Sequence, residues 1–542
     1  MKLKDISNIQ KSAQANSRRD FSRLGFALLF MLTVFIYATT QAENLALNVS
    51  YSQALLVIAA LIGAYMAMNI GANDVANNMG PAVGSKALTM AGAILIAATF
   101  EMLGAIIAGG EVVTTVKNGI ISPEMIADAE VFILVMTSAL LAGAVWLNLA
   151  TVLGAPVSTT HSIVGAVMGA GIAAGGFAVV NFEKMGAIVG SWIISPLMGG
   201  VIAAGLLYTI KRTITYREKM TDAAAAVVPC LNALMAWAFA TYMLIKGLGS
   251  LYKLSFGSAA IVGLAVAAII YFWSRSVALA RASRAEHTKD GVNSLFGAPL
   301  IFAAALLSFA HGANDVANAI GPLAAVYDAL LNAAVTTKAT IPMWIMLIGA
   351  LGLAVGLALY GPKLIKTVGS EITDLDKMRA YCIALSAALT VIIASQLGLP
   401  VSTTHVAIGA VFGVGFLREY LKSAHAEMVE LIIVAHEGEA RSRAEQYIEK
   451  FRAAPLKKKA LMLAEMKQKA AERKAKNAKK SAIREADDPH FTKKERKALK
   501  KVYKKELVKR SALAKIVAAW IITVPATAIL SATFFLITKM FF

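Results

Sequence analysis

Two short polar motifs each occur twice in this 542-residue chain: "PVSTTH" at 156–161 and 400–405, and "GANDVAN" at 71–77 and 312–318. In the first, Gly154 and Pro156 stop the preceding helix, because proline lacks an N–H and disfavours helix in the residue before it. A new helix then starts at the hydroxyl triplet. Serine and threonine are favoured N-caps, and the first turn offers free N–H groups with roughly half a positive charge. Ser158, Thr159 and Thr160, and likewise Ser402, Thr403 and Thr404, therefore form candidate anion sites. Without a lysine or arginine the binding would run through neutral donors, which suits an oxyanion that is later released. His161 and His405 follow directly. Each is either a hydrogen-bond partner that fixes the turn or a ligand or proton carrier.

In the second motif Asn73 and Asn77 share a helix face, with Asp74 about 100° round from Asn73; Asn314, Asp315 and Asn318 repeat the pattern. An aspartate inside a membrane costs roughly 2.5–3.5 kcal/mol on insertion scales, so two of them need partners. Carboxylate, amide and backbone oxygens form a hard donor set suited to a small hard cation, and nothing soft stands among them. Gly80–Pro81 and Gly321–Pro322 are expected to break the helix and free further carbonyls. Plainer readings are an ordinary N-cap and a polar packing cluster that binds nothing; duplication weighs against the first, since two caps need not share a hydroxyl triplet. Glu101 and Glu111 have no counterpart in the second half and receive no role. Gly165 with Gly169, and Gly409 with Gly413, give GxxxG faces for close helix packing of each hairpin.

The elements that hold these motifs are set by the solvent. The chain is 58% hydrophobic and 16% charged, with a mean hydropathy of +0.64, which reads as an all-α polytopic membrane protein. No long alternating pattern suggests a transmembrane barrel. The net charge is +20, and the stretch 418–510 supplies +13 of it, from 27 Lys/Arg against 14 Asp/Glu. The positive-inside rule puts this insert and the N-terminus in the cytoplasm. It lacks aromatics interleaved for base stacking and lies between two spans, so a solvated or lipid-facing surface is favoured over nucleic-acid binding. Cys230 and Cys382 suggest neither a disulfide framework nor a metal site. "SRRDF" (17–21) mimics a twin-arginine export signal, but the downstream chain needs membrane insertion, so an uncleaved first span is expected.

Asp74 and Asp315 stand 241 residues apart, Ser158 and Ser402 244 apart, and "TV" at 115–116 recurs at 367–368. Order and spacing are both kept, so the chain carries two homologous halves. Counting spans from a cytoplasmic N-terminus makes the halves enter the membrane from opposite faces, an inverted-topology pair as in many secondary transporters. The expected division is 1–50 for the N-terminus and an extra first helix, 51–180 for repeat 1, and 181–292 for connecting helices. Repeat 2 follows at 293–417, then a basic, mainly helical insert at 418–511 and a last helix at 512–542. Backbone that is not helical at membrane depth must be buried in protein or line a wet cavity, so each "PVSTTH" is expected at the tip of a re-entrant helical hairpin.

With both duplicated signatures in hand, the chain resembles the PiT family of inorganic phosphate transporters, over residues 51 to about 180 and 293 to about 417. The resemblance implies phosphate contacts from Ser158, Thr159, Thr160, Ser402, Thr403 and Thr404. It implies contacts to a coupling cation, sodium or proton, from Asn73, Asp74, Asn77, Asn314, Asp315 and Asn318. It also implies a homodimer; the expected setting is the inner membrane, with no cofactor and no nucleic-acid partner. The insert after repeat 2 departs from family members whose polar loops lie between the halves, and the first helix lies outside the shared core. Three other functions fit parts of the pattern: a sulfate permease, an anion channel, and an intramembrane hydrolase with Ser158 and His161 as nucleophile and base. A hydrolase needs one active centre, whereas both copies are intact; a channel needs no paired acids.

Overall fold

The computed structural model describes residues 3–44, 52–126, 128–153, 157–247, 254–332, 341–371, 375–434 and 510–541. The expected breaks at Gly154 and Pro156, and 435–509 of the basic insert, lie outside the described residues. The described chain is helical almost throughout, with eleven helices long and apolar enough to cross a membrane. This is a multi-pass membrane protein.

The first half opens with α1 (Leu3–Asn44), whose segment Asp20–Glu43 is apolar enough to span. It continues through α2 (Ser52–Gly84), α3 (Met90–Ala108), the short α4 (Gly110–Asn118), α5 (Ala129–Leu153) and α6 (Thr159–Gly175). Three helices follow: α7 (Phe182–Ile210), α8 (Met220–Lys246) and α9 (Phe256–Ala282). The second half runs through α10 (Lys289–Leu295), α11 (Gly297–Asn332), α12 (Met343–Glu371), α13 (Lys377–Gln396) and α14 (Thr403–Val434) to α15 (Arg510–Lys539).

Burial sorts these helices into core and periphery. The spanning windows of α11 and α13 are the most buried, at 89% and 83%, followed by α5 at 67% and by α2 and α12 at 61%, so these helices form the inside of the bundle while α1 and α9, at 17%, lie at its periphery. The two motif helices α2 and α11 are each clamped by a helix from the other half. A Cβ on Gly71 of α2 would lie 2.0 Å from the Leu353 carbonyl oxygen of α12, and one on Gly312 of α11 would lie 2.0 Å from that of Glu101 in α3. Gly356 on Met68 and Gly104 on Phe309 complete the two crossings at the same 2.0 Å. Gly71 matches Gly312, and Leu353 matches Glu101, so the two crossings use equivalent positions with the halves exchanged.

Two sequence expectations are modified. Pro81 and Pro322 do not break their helices: α2 continues to Gly84 and α11 to Asn332. Dense packing around both helices holds them together, while each proline still cannot donate to the carbonyl four residues earlier, that of Asn77 or Asn318. The glycine faces of the hairpins pack tightly, but on helices outside the hairpins. Gly165 and Gly169 meet Val524 and Ala528 of α15; Gly409 and Gly413 meet Pro196 and Gly200 of α7.

Candidate functional site

The described residues of the two motifs, 157–161 between α5 and α6 and 400–405 between α13 and α14, are buried. The caps form as the residue types require. Ser158 Oγ accepts the His161 N–H at 3.1 Å, and Ser402 Oγ accepts the His405 N–H at 3.3 Å. In the second turn Gly398 takes φ +66°, left-handed backbone that glycine reaches freely, and its carbonyl accepts the Thr115 hydroxyl of α4 at 2.7 Å.

The threonines of both turns and the acids of both "GANDVAN" helices converge on one cluster. Thr403 donates to Asp315 Oδ2 at 2.9 Å, and Thr159 donates to the same oxygen at 3.4 Å. Thr404 donates to Asp74 Oδ1 at 3.0 Å while accepting the Asn77 amide at 2.8 Å. Asn318 donates to Thr159 and Thr160 at 3.4 and 3.2 Å, and Thr160 turns its own hydroxyl to the Val401 carbonyl at 2.9 Å. Eight of the expected residues therefore share one network across both halves: Asp74, Asn77, Asp315, Asn318, Thr159, Thr160, Thr403 and Thr404.

Asn73 and Asn314 lie at its edge and brace the hairpins. Asn73 donates to Thr151 of α5 at 3.1 Å. Asn314 donates to Ser395 and to the Leu399 carbonyl at 3.0 and 3.1 Å and accepts the Val401 N–H at 3.2 Å.

Two residues to which the sequence assigned no role complete the centre. His311, fully buried, holds Nε2 3.1 Å from Asp315 Oδ2 and 3.8 Å from Asp74 Oδ2, with Nδ1 3.2 Å from Glu101 Oε1. Glu101 also accepts the Asn78 amide at 2.9 Å. Both residues are missed by a search for duplicates, since the position of His311 is Ile70 in the first half and that of Glu101 is Leu353 in the second. The available signal was a histidine four residues before an intramembrane aspartate, on the same helix face.

The cluster is rich in unused acceptors. Asp74 Oδ2, Asp315 Oδ1, Glu101 Oε2 and Asn318 Oδ1 are buried without a hydrogen-bond donor among the described residues. Fully ionised, three carboxylates around one imidazolium carry a charge of −2, and buried carboxylates at this density call for a cation or proton. Asp74, His311 and Asp315 each bring one ligand atom within 4.8 Å of the others, a spacing that can enclose one ion. The imidazole adds a borderline donor to the all-oxygen set the sequence suggested.

His161 and His405 stand beside this cluster. Their rings meet edge to face at 4.5 Å; His161 lies 3.8 Å from the Trp192 ring of α7, and His405 stacks on Trp520 of α15 at 3.4 Å. Ser158 Oγ meets the backbone N–H of His161 and not its ring, so the nucleophile–base pairing of Ser158 with His161 is not formed. The tryptophans open matching "WII" triplets at 192–194 and 520–522, in the helices that follow each hairpin. The Trp192 indole also donates to the Pro400 carbonyl at 3.1 Å, tying α7 to the second turn.

Comparison with known proteins points the same way as the geometry. A family model described as "Phosphate transporter family" matches residues 70–531. A protein of Helicobacter pylori (strain J99), described as a candidate phosphate permease, is 52% identical over 544 residues, covering 99% of this chain and 98% of that one. One of Pyrococcus furiosus with the same description is 40% identical over 385 residues, covering 70% of this chain and 92% of its own. Among solved structures, "The sodium-dependent phosphate transporter" superposes with a TM-score of 0.71 at 30% identity, covering 90% of this chain and 100% of that one.

Proposed function

Because the chain belongs to the phosphate transporter family, we propose that it is a secondary active transporter that imports inorganic phosphate with a cation, sodium or proton, by alternating access. Its proposed setting is a homodimer in the inner membrane, with the N-terminus and basic insert cytoplasmic. The solved relative carries sodium dependence in its name, which makes sodium the first cation to test.

The observation that carries this reading is the use of the hairpin hydroxyls. A threonine has one O–H to donate, and those of Thr159, Thr403 and Thr404 are directed at the Asp315 and Asp74 carboxylates. They cannot donate to an oxyanion at the same time. A cation on Asp74 and Asp315, or a proton on either, competes for the same oxygen lone pairs and releases the hydroxyls. Phosphate then takes those donors, together with Ser158, Ser402 and the first-turn N–H groups of α6 and α14. The anion binds well only when the acids are occupied, which is the coupling a symporter needs. Asn77 and Asn318 keep the threonines oriented through the exchange, and the cation contacts of Asn73 and Asn314 would follow a small shift of the hairpins.

The exchanged glycine crossings support two halves of inverted orientation, moving against each other around a fixed site. The matched "WII" helices α7 and α15 extend each proposed repeat by one helix, so that the insert 418–511 interrupts the second. The test is purified protein in liposomes with labelled phosphate inside and outside. Accumulation only under an imposed sodium or proton gradient supports the proposal; equal uptake without any gradient would sink it, and sulfate competing as well as phosphate would move the substrate to that anion.

A further inference from the structure

We propose that the basic end of the bundle holds a second anion site, separate from the hairpin cluster, that takes a phosphate group: the headgroup of an anionic lipid or a free phosphate ion. The transport reading enters only in assigning this face to the cytoplasm.

The site is a cavity of about 60 Å³ lined by Lys211, Thr215, Lys289, Asn293, Asp376 and Arg379 over a floor of methionine and valine. One water needs roughly 10–15 Å³ on this measure, so the space admits several waters or one tetrahedral phosphate group. Its walls come from three elements. Lys211 and Thr215 are the first and last residues of a π-helical turn, Lys211–Thr215, that continues α7. Such turns are rare and gather at functional sites. Lys289 begins α10, and Asp376 and Arg379 open α13.

Charge separates this cavity from an ordinary solvated surface. Three cations face one carboxylate, and that carboxylate is engaged twice: Asp376 caps the Arg379 N–H at 2.9 Å and pairs with its guanidinium at 3.2 Å. Lys211 is half-buried and also feels the positive charge of Arg418. Gathering like charges around a partly enclosed space is unfavourable unless an anion joins them. The frame needs no ligand to form, because the Met378 N–H donates to Asn293 Oδ1 at 3.3 Å and fixes α13 on α10. Among the described residues the Thr215 hydroxyl donates to the Met378 sulfur, at 4.0 Å, a weak acceptor that a phosphate oxygen would displace. Two ammonium groups, a guanidinium fork, a hydroxyl and an amide make a phosphate-binding set, and basic pockets at helix ends are where lipid headgroups bind.

The position gives the site a consequence. From Arg379, α13 runs sixteen residues, roughly 24 Å, to Ser395, which receives the Asn314 amide beside the hairpin turn. An anion joining α7, α10 and α13 would hold the first limb of the second hairpin against the helix whose Trp192 ties the same turn.

The experiment uses full-length protein in detergent and two probes, phosphatidylglycerol read by native mass spectrometry and labelled inorganic phosphate read by equilibrium dialysis. The pair Lys211→Gln and Lys289→Gln is expected to lower occupancy about tenfold or more, and the pair Lys211→Arg and Lys289→Arg to keep it. A loss of bound lipid with phosphate stoichiometry unchanged identifies a headgroup. A fall from two bound phosphates to one, with lipid unchanged, identifies the free ion. Lys289→Gln alone, at an exposed position, serves if the glutamine pair does not fold. Both probes binding the glutamine variant as they bind the wild type would overturn the proposal.

Discussion

Replacing Thr403 with valine separates the two tasks assigned to one hydroxyl. The change keeps the branched shape at a buried position and deletes one donor, whose contact with Asp315 Oδ2 is 2.9 Å. Hydrogen bonds to charged groups are worth about 1.5–3 kcal/mol. If the same O–H turns to phosphate in the loaded state, phosphate affinity at saturating cation should fall by that amount, or about 10- to 100-fold. Cation affinity measured without phosphate should move the other way. Asp315 Oδ2 loses its closer hydroxyl and keeps Thr159 at 3.4 Å and His311 Nε2 at 3.1 Å, so a cation meets one competitor fewer and should bind equally well or up to about tenfold more tightly. The assay is titration calorimetry or dialysis on purified protein, each ligand in turn, with thermal stability as the control for folding. Phosphate affinity within about threefold of the wild type, or cation and phosphate affinities falling together, would refute the exchange of hydroxyls between acid and anion.

Other substitutions probe the frame around that exchange. Glu101→Gln removes a charge that holds His311 Nδ1 at 3.2 Å and should lower uptake at least about tenfold while the protein stays folded, checked by uptake per folded molecule in liposomes. Gly71→Ala sets a Cβ 2.0 Å from the Leu353 carbonyl and should cost about 3 kcal/mol or more, read as a lower unfolding temperature; Gly205→Ala, with nothing within 4 Å inside α7, should leave that temperature unchanged or slightly raised. His405→Phe should retain uptake within a fewfold, because the ring stacks on Trp520 and its nitrogens make no hydrogen bond among the described residues, whereas His405→Ala should lose stability. Loss of uptake in the phenylalanine variant with stability intact would give the imidazole a chemical role.

Much of the site was legible because it was written twice. A single "STT" at a helix start reads as a cap, and Ser158 and Ser402 are caps; only the second copy made the threonines candidates for a shared ligand. The same reliance on duplication hid Glu101 and His311, whose equivalents Leu353 and Ile70 carry no charge. The centre is therefore asymmetric in a way that repeat comparison discards. Pro81 and Pro322 misled for another reason. Proline removes one hydrogen bond, but whether the helix then breaks depends on the packing around it, and Pro81 and Pro322 lie in buried stretches of α2 and α11. The partners of the GxxxG faces were out of reach for the sequence, since nothing in Gly165 or Gly409 says that α15 and α7 are the surfaces they meet.

The central claim is that phosphate binds tightly only when the Asp74 and Asp315 carboxylates are occupied. Equilibrium binding of labelled phosphate to the purified protein tests it, titrated with sodium at constant ionic strength in choline and repeated across pH. Phosphate affinity should rise at least about tenfold with sodium or with acidification, and phosphate should raise the affinity for that same cation by an equal factor. Phosphate binding equally tight in choline at every pH would contradict the account.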